Sequence, residues 1–447
     1  MQALVVLPGI EGLDSDLEKW EKPLLQRVSG IPLLQRVIAT AWKGGASSIL
    51  VLLPSSVSED WISDHLRRGR LASCPLQTRP FEPAFDPNER SHWEEIEDQL
   101  EPMFLWLPWN WVTGKKILAA SLQAFQAGNR QGDGVEAKRG PAGTSAPSIP
   151  DPDGPLLIEK ESLFSKAAGS LQKYLHNSGT QSLGPTPGVL VESVRSVRQA
   201  ERFLVRNSGK ASDGIYSNFN RRLCWPSVRW LLRTPVTANM ITWAGLPLVV
   251  LSGYFYAQGH WAAYSAGALT YFLSVLLDEM DGMVARTKFE ESSFGCWLET
   301  MVDYLGYLFL WAGMTIGLYQ EYGSLWWPAL GGMTILSNLI TFLVLLRQRK
   351  EFAPSNQPNQ YQSRFYGRLE DDSGRLISRM IRKVVFLAKK GVMCHYILLF
   401  SVLGLLPLLF VLAWTGSVLT LFISLYMNRL FRAPSRTKSS SKVSVAP

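Results

Sequence analysis

Charged residues are scarce in the second half of this 447-residue chain, and this scarcity is the first guide to its architecture. A helix needs roughly 20 residues to cross the hydrocarbon layer of a membrane. Four windows without Asp, Glu, Lys or Arg each fit one span with their flanks, and a fifth run is long enough for two. These uncharged windows are residues 239–258, 261–277, 304–319, 322–346 and 391–428. We therefore predict six membrane helices, with a turn at Thr415 and Gly416 dividing the last run.

Cysteine and histidine are also scarce, which argues against a metal site built from these residues. The 4 Cys residues are widely separated and lack the paired spacing of a metal site, so we interpret them as reduced core or interface residues. The 5 His residues are isolated and show no ligand spacing. The opening MQALVVLPG has no basic leader, so we expect no secretory signal there and insertion directed by the later helices.

Basic residues lie on alternate connections between the predicted spans. The connections YAQGHW and YQEYGSLWW contain no Lys or Arg, whereas segments 221–233, 286–288, 347–350, 364–390 and 429–438 are basic. Because positive charge is retained on the cytoplasmic side, we expect the soluble half, the carboxylates described below and the C-terminus to be cytoplasmic. We expect an integral multi-pass protein of a prokaryotic cell membrane. The net charge of +8 then indicates contact with anionic membrane lipids rather than with nucleic acid.

Composition divides the chain into a mixed N-terminal half and an apolar C-terminal half. We predict a soluble domain over residues 1–210 that carries a disordered insertion at 128–155. An interfacial amphipathic helix over 213–233, a membrane domain over 234–432 and a disordered basic tail over 433–447 complete the chain. The mixed basic and apolar stretch 363–391 is expected either on the membrane surface or at the border of an acceptor pocket.

Two apolar runs in the soluble half, ALVVLPG and ASSILVLLP, flank an amphipathic helix pattern. This order is typical of a βαβ unit and predicts a parallel sheet. The segments Lys22-Pro23 and Gly30-Ile31-Pro32-Leu33-Leu34 resemble the sugar-nucleotide and cytidylyltransferase family, here called the nucleotidyltransferase family. The resemblance implies a Rossmann-like α/β domain.

Two positions depart from that family. Its glycine-rich phosphate loop is reduced to Gly9 and Gly12, and acidic residues follow them (Asp14, Asp16 and Glu18). These carboxylates would repel a triphosphate unless a metal intervened. Asn110 stands where the family has a metal-binding Asp, and a neutral amide is a poor replacement on a hard cation. We expect a domain that has lost its chemistry, with active nucleotidyl transfer as the alternative.

Four carboxylates lie at ordered spacing beside the most apolar part of the chain. Asp278 and Asp281 are three residues apart, and Glu299 and Asp303 are four apart, so each pair would share one helix face. An antiparallel hairpin joined by RTKFEESS would bring the pairs together. Four like charges at the ends of membrane helices repel one another and lose hydration. Divalent cations bound between them would remove both problems.

Small residues and one cation accompany the carboxylates. Gly282 and Ala285 lie on or next to the same helical face and leave no bulk, so a ligand could approach the backbone there. Gly295 does the same one turn before Glu299. Arg286 could pair with a diphosphate, whose oxygens suit the fork of guanidinium donors.

This pattern resembles the CDP-alcohol phosphotransferases, also called CDP-alcohol phosphatidyltransferases. Their signature is D-x2-D-G-x2-A-R-x8-G-x3-D-x3-D, and the chain matches every spacing from Asp278 to Asp303, with Glu299 in place of the third Asp. The similarity covers roughly residues 213–430. It includes Thr234-Pro235 and Asn239-x-x-Thr242, with Ala238 where the family usually has Pro.

The resemblance implies a six-helix membrane enzyme that moves a substituted phosphoryl group from a CDP-linked donor to an alcohol and releases CMP. Asp278, Asp281, Glu299 and Asp303 would hold Mg²⁺ or Mn²⁺, and Asp303 would also be the general base. The CDP and diphosphate would meet a further set of residues: Gly282, Ala285, Arg286, Gly295, Asn239 and Thr242.

The implied donor is CDP-diacylglycerol or a soluble CDP-alcohol, in phospholipid or other polar-lipid synthesis, and a homodimer is compatible with the family. Three alternatives stay open at this stage. The soluble domain could make the CDP-alcohol, such as a CDP-inositol-type donor, that the membrane domain consumes. The chain could instead be a catalytically inactive membrane anchor or an ion-coupled transporter, since intramembrane carboxylates also serve transport.

Overall fold

A computed structural model describes residues 1–8, 17–82, 84–130, 155–164, 187–209, 214–352 and 389–432, together with residues 381 and 387. The chain divides into two compact units. The first comprises Met1–Ser208, Arg229–Pro235 and Thr287–Phe289, and the second comprises Gly209–Val228, Val236–Arg286 and Glu290–Pro447. The predicted insertion at 128–155 lies mostly outside the described residues, and the predicted tail at 433–447 lies wholly outside them.

The first unit alternates strands and helices. Its strands are β1 (Gln2–Val6), β2 (Arg27–Val28), β3 (Ile31–Pro32), β4 (Ser48–Pro54), β5 (Leu76–Phe81), β6 (Met103–Pro108), β7 (Trp111–Val112), β8 (Leu156–Glu159) and β9 (Val189–Leu190). Its helices, numbered along the described residues, are α1 (Leu17–Leu25), α2 (Leu33–Lys43), α3 (Glu59–Ile62), α4 (Arg90–Ile96), α5 (Lys115–Arg130), α6 (Lys160–Phe164) and α7 (Val194–Arg206).

A five-stranded sheet with the order β5-β4-β1-β6-β8 forms the centre of the first unit. The first four strands in this order are parallel, and β8 runs antiparallel to β6. Alternate β1 residues belong to different cores, since Ala3 and Val5 pack in one apolar cluster and Leu4 in another. A strand buried on both faces is expected to be apolar throughout, as the ALVV run is. The predicted α/β sheet with parallel strands is therefore confirmed.

Within the first unit, two arginine side chains bind backbone carbonyl oxygens of the segment 287–289. Arg36 is fully buried and donates from Nη1 to the Thr287 carbonyl oxygen at 3.1 Å. Arg70 donates from Nε to the Lys288 carbonyl oxygen at 3.0 Å. Burial, with repulsion from Arg70, lowers the pKa of Arg36 to about 9. Both arginines thus satisfy backbone acceptors whatever side chains stand at positions 287 and 288.

The second unit, as far as the structure describes it, is helical. Its helices are α8 (Ile215–Leu231), α9 (Ala238–Ala257), α10 (Trp261–Lys288), α11 (Ser293–Tyr322), α12 (Trp326–Phe352), α13 (Lys390–Val402) and α14 (Leu406–Arg432). The ends of α8 and α10 extend into segments that belong to the first unit.

Four of the described helices are long and apolar enough to cross a membrane, namely α9, α11, α12 and α14. The predicted number of six spans is not confirmed. The predicted second span lies in α10, and α13 is a shorter apolar helix of 13 residues.

The predicted turn at Thr415 and Gly416 is wrong, because both residues lie inside α14. The chain turns instead between α13 and α14, where Gly404 has a φ of +72°. The Gly404 N–H donates to the Ser401 carbonyl oxygen, and the Leu405 N–H donates to that of Phe400. This bonding closes the end of a helix and favours glycine at the left-handed position. Thr415 is tolerated within α14 because its hydroxyl donates to the Val411 carbonyl oxygen at 2.9 Å.

Glycines allow α9 and α11 to pack backbone against backbone. A Cβ on Gly313 of α11 would overlap the carbonyl oxygen of Gly253 on α9, and one on Gly317 would overlap that of Tyr256. A Cβ on Gly253 would lie 2.6 Å from the Phe309 carbonyl oxygen. Small residues permit such close approach in membrane helices. This seam fixes α9, which carries Thr242, against the helix that carries Glu299 and Asp303.

We expect Gly313→Ala to lower the thermal stability of the purified protein in detergent, because the added methyl group overlaps a backbone atom that cannot rotate away. Such overpacking costs about 1–3 kcal/mol. Gly332→Ala on α12 is the matched control, since its Cβ would meet no atom within 4 Å. Melting curves recorded by tryptophan fluorescence measure both. Equal melting temperatures for the two variants would contradict the close packing of α9 and α11.

Candidate active site

The four predicted carboxylates lie on two helices that are consecutive in the chain. Asp278 and Asp281 belong to α10, and Glu299 and Asp303 belong to α11. Asp281 is buried, with 4% of its surface exposed, and the other three are half-buried. Carboxylates at this depth need hydrogen bonds or countercharges. Their partners therefore define the site.

Thr242 is the partner of Asp281. Its hydroxyl donates to Asp281 Oδ2 at 2.6 Å, and the same oxygen lies 3.2 Å from the Ala238 carbonyl oxygen of its own helix. A hydroxyl has one hydrogen, and the shorter contact, to the carboxylate, is the stronger hydrogen bond. The predicted ligand-binding residue Thr242 thus contacts one of the predicted metal ligands directly.

Asn239 and Gly295 meet where α9 and α11 begin. A Cβ on Gly295 would lie 3.0 Å from Asn239 Oδ1. The Gly295 N–H donates to Ser292 Oγ at 3.0 Å, which caps the first turn of α11. Nearby, Glu290 Oε2 accepts from the Ala238 N–H at 3.1 Å. Gly295 therefore leaves room for the Asn239 amide, and these contacts fix the two helix starts.

Gly282 makes room for the guanidinium of Arg286. A Cβ at position 282 would lie 3.0 Å from Arg286 Nη1 and 3.2 Å from Nη2. The two residues are one helical turn apart, so Arg286 folds back along α10 toward the carboxylates. Ala285 is half-buried, and its carbonyl oxygen accepts from the Glu290 N–H at 2.9 Å, a contact that serves the helix end rather than a ligand.

Lys390 is a site residue that sequence reasoning missed. It is the first residue of α13, and its ammonium hydrogen-bonds to Asp303 Oδ1 and lies 3.2 Å from Asp278 Oδ1. One cation therefore links carboxylates from α10 and α11. Its position in the sequence could have indicated this role, because Lys390 is the last charged residue before the uncharged run 391–428.

A small cavity, partly open to solvent, adjoins these groups. Its polar wall is formed by Thr242, Ser274, Asp278, Asp281 and Lys390. Apolar residues of α9, α10 and α11, among them Val249, Leu277 and Val302, form the rest. The cavity thus lies between charged and apolar side chains.

Among the residues that the structure describes, no group of three or more His, Cys, Asp or Glu side chains is arranged to hold a metal ion. The arrangement nevertheless fits a cation. Oxygen atoms of Asp278 and Asp303 converge on the ammonium of Lys390, which marks a position that takes positive charge. Carboxylate oxygens are also the ligands that Mg²⁺ prefers.

The nucleotidyltransferase-like motif lies in the first unit. Lys22 and Pro23 lie within α1, and Lys22 is exposed. Ser29 and Gly30 form a two-residue hairpin turn with φ values of 51° and 78°, and Gly30 supplies the left-handed conformation at no steric cost. Asn110 follows β6, and its carbonyl oxygen accepts from the Val191 N–H at 2.9 Å. The reduced glycine loop, with Gly9, Gly12, Asp14 and Asp16, lies outside the described residues.

Comparison with known proteins identifies the helical part of the chain. Residues 235–422 match the family model for CDP-alcohol phosphatidyltransferase. This region is therefore a domain of the CDP-alcohol phosphatidyltransferase family, and it contains every candidate site residue from Asn239 to Lys390. The resemblance inferred from the carboxylate signature is confirmed.

The chain is also similar to a protein of Aquifex aeolicus (strain VF5), the bifunctional IPC transferase and DIPP synthase. The two sequences are 30% identical over 123 residues. This alignment covers 27% of the present chain and 28% of the relative, so it spans little more than a quarter of either protein.

We expect Thr242→Val to destabilise the protein, because it leaves a buried Asp281 oxygen without its donor. An unsatisfied buried polar group costs about 1–3 kcal/mol. Thr270→Val is the matched control, because the buried Thr270 hydroxyl donates only to the Ala266 carbonyl oxygen of its own helix. Thermal unfolding in detergent should show the larger loss for Thr242→Val. A loss no larger than that of Thr270→Val would contradict the assigned hydrogen bond.

Proposed function

We propose that the protein is an integral-membrane CDP-alcohol phosphotransferase of phospholipid or other polar-lipid synthesis. It transfers a substituted phosphoryl group from a CDP-linked donor to an alcohol and releases CMP. The main support is that the family domain at 235–422 carries the carboxylate pattern, with Glu299 in place of the third Asp, and that Asp278 and Asp281 line a cavity together with polar and apolar side chains.

In this proposal Asp278, Asp281, Glu299 and Asp303 hold Mg²⁺ or Mn²⁺. Such a cation neutralises negative charge that develops on the leaving CMP. Asp303 accepts the proton of the attacking hydroxyl as its oxygen bonds to phosphorus and the bond from phosphorus to the CMP oxygen breaks. Arg286 pairs with the donor diphosphate, which its position over Gly282 supports.

The smaller candidate residues position the donor. Thr242 orients Asp281 through its hydrogen bond, and Asn239 lies beside Gly295 where the nucleotide would enter. Gly282, Ala285 and Gly295 keep the helix surfaces free of bulk. Glu299 has one methylene more than the usual Asp, and we expect this length to alter the preference between Mg²⁺ and Mn²⁺.

We further propose six spans in total, with α10 and α13 entering the membrane alongside the four candidate helices. The uncharged window 261–277 of α10 supports this number. The active site and the first unit then face the cytoplasm of a prokaryotic cell, as the basic connections indicate. In the same proposal the first unit is a Rossmann-like nucleotidyltransferase domain, and the protein contacts membrane lipids and forms a homodimer.

We expect purified protein in detergent with Mg²⁺ or Mn²⁺ to release CMP from CDP-diacylglycerol or a soluble CDP-alcohol. Glycerol 3-phosphate, serine, inositol and inositol phosphate would be tested as acceptors. Asp303→Asn should lower the rate at least about 100-fold, as loss of a general base does. The exposed Asp64→Asn in the first unit is the control and should not change it. A folded protein that binds CDP but releases no CMP would instead support the inactive-anchor alternative.

A bifunctional enzyme is the second candidate, and the name of the Aquifex relative, a bifunctional transferase and synthase, favours it. The first unit would then make the CDP-alcohol from CTP. Asn110 argues against this activity, because an amide replaces the metal-binding carboxylate. We therefore expect no pyrophosphate release from CTP and an alcohol phosphate such as inositol phosphate. Pyrophosphate release that requires the alcohol phosphate would establish the bifunctional alternative.

A further inference from the structure

We propose that Lys390 is an internal counter-ion that competes with the divalent cation for Asp278 and Asp303. This inference rests on the proposed metal-dependent function and adds a residue outside the carboxylate signature. The single ammonium contacts Oδ1 of both carboxylates, one from α10 and one from α11. A cation bound between these oxygens would need the position that the ammonium occupies.

The backbone that carries Lys390 is held in place by α8. Asn220 of α8 is fully buried and donates from Nδ2 to the carbonyl oxygen of Gly391, the next residue after Lys390, at 3.3 Å. A Cβ on Gly391 would lie 3.6 Å from Glu279 Oε1 and 3.7 Å from Asn220 Nδ2. The start of α13 is therefore packed closely against polar groups of α8 and α10.

Two side chains of α8 hold the Glu279 carboxylate in place, so it does not compete for Lys390. Its carboxylate accepts from Arg221 Nε at 2.9 Å and from Ser217 Oγ at 2.5 Å. Glu279 and Arg221 neutralise each other, so the ammonium of Lys390 serves Asp278 and Asp303. A prepositioned backbone and two dedicated partners distinguish this contact from a flexible surface ion pair.

Electrostatics then predicts competition. Two carboxylates with little access to water attract a positive charge strongly, and the ammonium supplies it in the protein alone. A divalent cation at the same oxygens repels the ammonium, so the lysine side chain must swing away before both oxygens can act as ligands. Part of the metal-binding free energy is used to break the Lys390 contacts, and Lys390 thereby weakens the apparent metal affinity.

The test is direct Mn²⁺ binding to the full-length protein in detergent, with CMP present, measured from the electron paramagnetic resonance signal of free Mn²⁺. Lys390→Met removes the charge and keeps most of the side-chain length. We expect its Kd for Mn²⁺ to fall about tenfold, within the usual range of coupling between two sites. Lys390→Arg keeps the charge and should stay close to wild type. Lys350→Met removes an exposed charge at the end of α12 and is the matched control.

Thermal unfolding supplies a second readout. Lys390→Met should melt lower than wild type without Mn²⁺, because two carboxylates lose their countercharge, and should gain more stability than wild type when Mn²⁺ is added. A purely structural ion pair would lower the melting temperature and leave the Mn²⁺ affinity unchanged, which would overturn the proposal. A weaker affinity would also overturn it, since Lys390 would then assist binding. If Lys390→Met does not fold, Lys390→Gln carries the same expectation.

These outcomes separate this inference from the proposed function. Metal-dependent CMP release together with an unchanged Mn²⁺ affinity of Lys390→Met would refute only the counter-ion role. Tighter Mn²⁺ binding by Lys390→Met, in a protein that releases no CMP with any donor, would support the counter-ion role and refute the proposed reaction.

Discussion

Buried carboxylates need positive charge or hydrogen-bond donors, and this requirement organises the helical unit. Each buried oxygen that is not solvated must find a partner, or the fold loses several kcal/mol. Asp281 uses the hydroxyl of Thr242, and Asp278 and Asp303 share the ammonium of Lys390. Their donors come from α9 and α13. The carboxylate pairs of α10 and α11 thus determine which other helix ends must lie beside them.

The glycine seam between α9 and α11 holds two of these helices together. Membrane helices gain little hydrophobic stabilisation from one another, so close backbone packing must supply it. Gly253 and Gly313 bring the axes of α9 and α11 close together, and Thr242 of the same α9 donates to Asp281 on α10. At the other end of the contact, Gly295 accommodates the Asn239 amide. Glycine therefore acts in two ways, in packing along the seam and in admitting polar groups at the helix starts.

Local patterns predicted the elements well, because apolar runs and residue spacing act over one or two helical turns. The parallel strands of the first unit and the placement of Asp278, Asp281, Glu299 and Asp303 on two successive helices followed from such patterns. The contact of Lys390 with Asp303 could not be predicted in this way, since 87 residues separate them. The turn between α13 and α14 was misplaced for a different reason. Gly404 and Gly416 would each allow the chain to turn. The hydrogen bonds at the end of α13 place the turn at Gly404.

Three acidic residues within four positions of α10 show how helix geometry separates their roles. Asp278 and Asp281 are three residues apart and line one cavity, whereas Glu279 is rotated by about 100° and meets α8. There Arg221 and Ser217 satisfy its carboxylate. An unpaired Glu279 carboxylate beside Asp278 would strengthen cation binding but would also increase repulsion within the protein. Pairing Glu279 with Arg221 avoids that repulsion and uses the same ion pair to fasten α8, and through Asn220 the start of α13, beside the site.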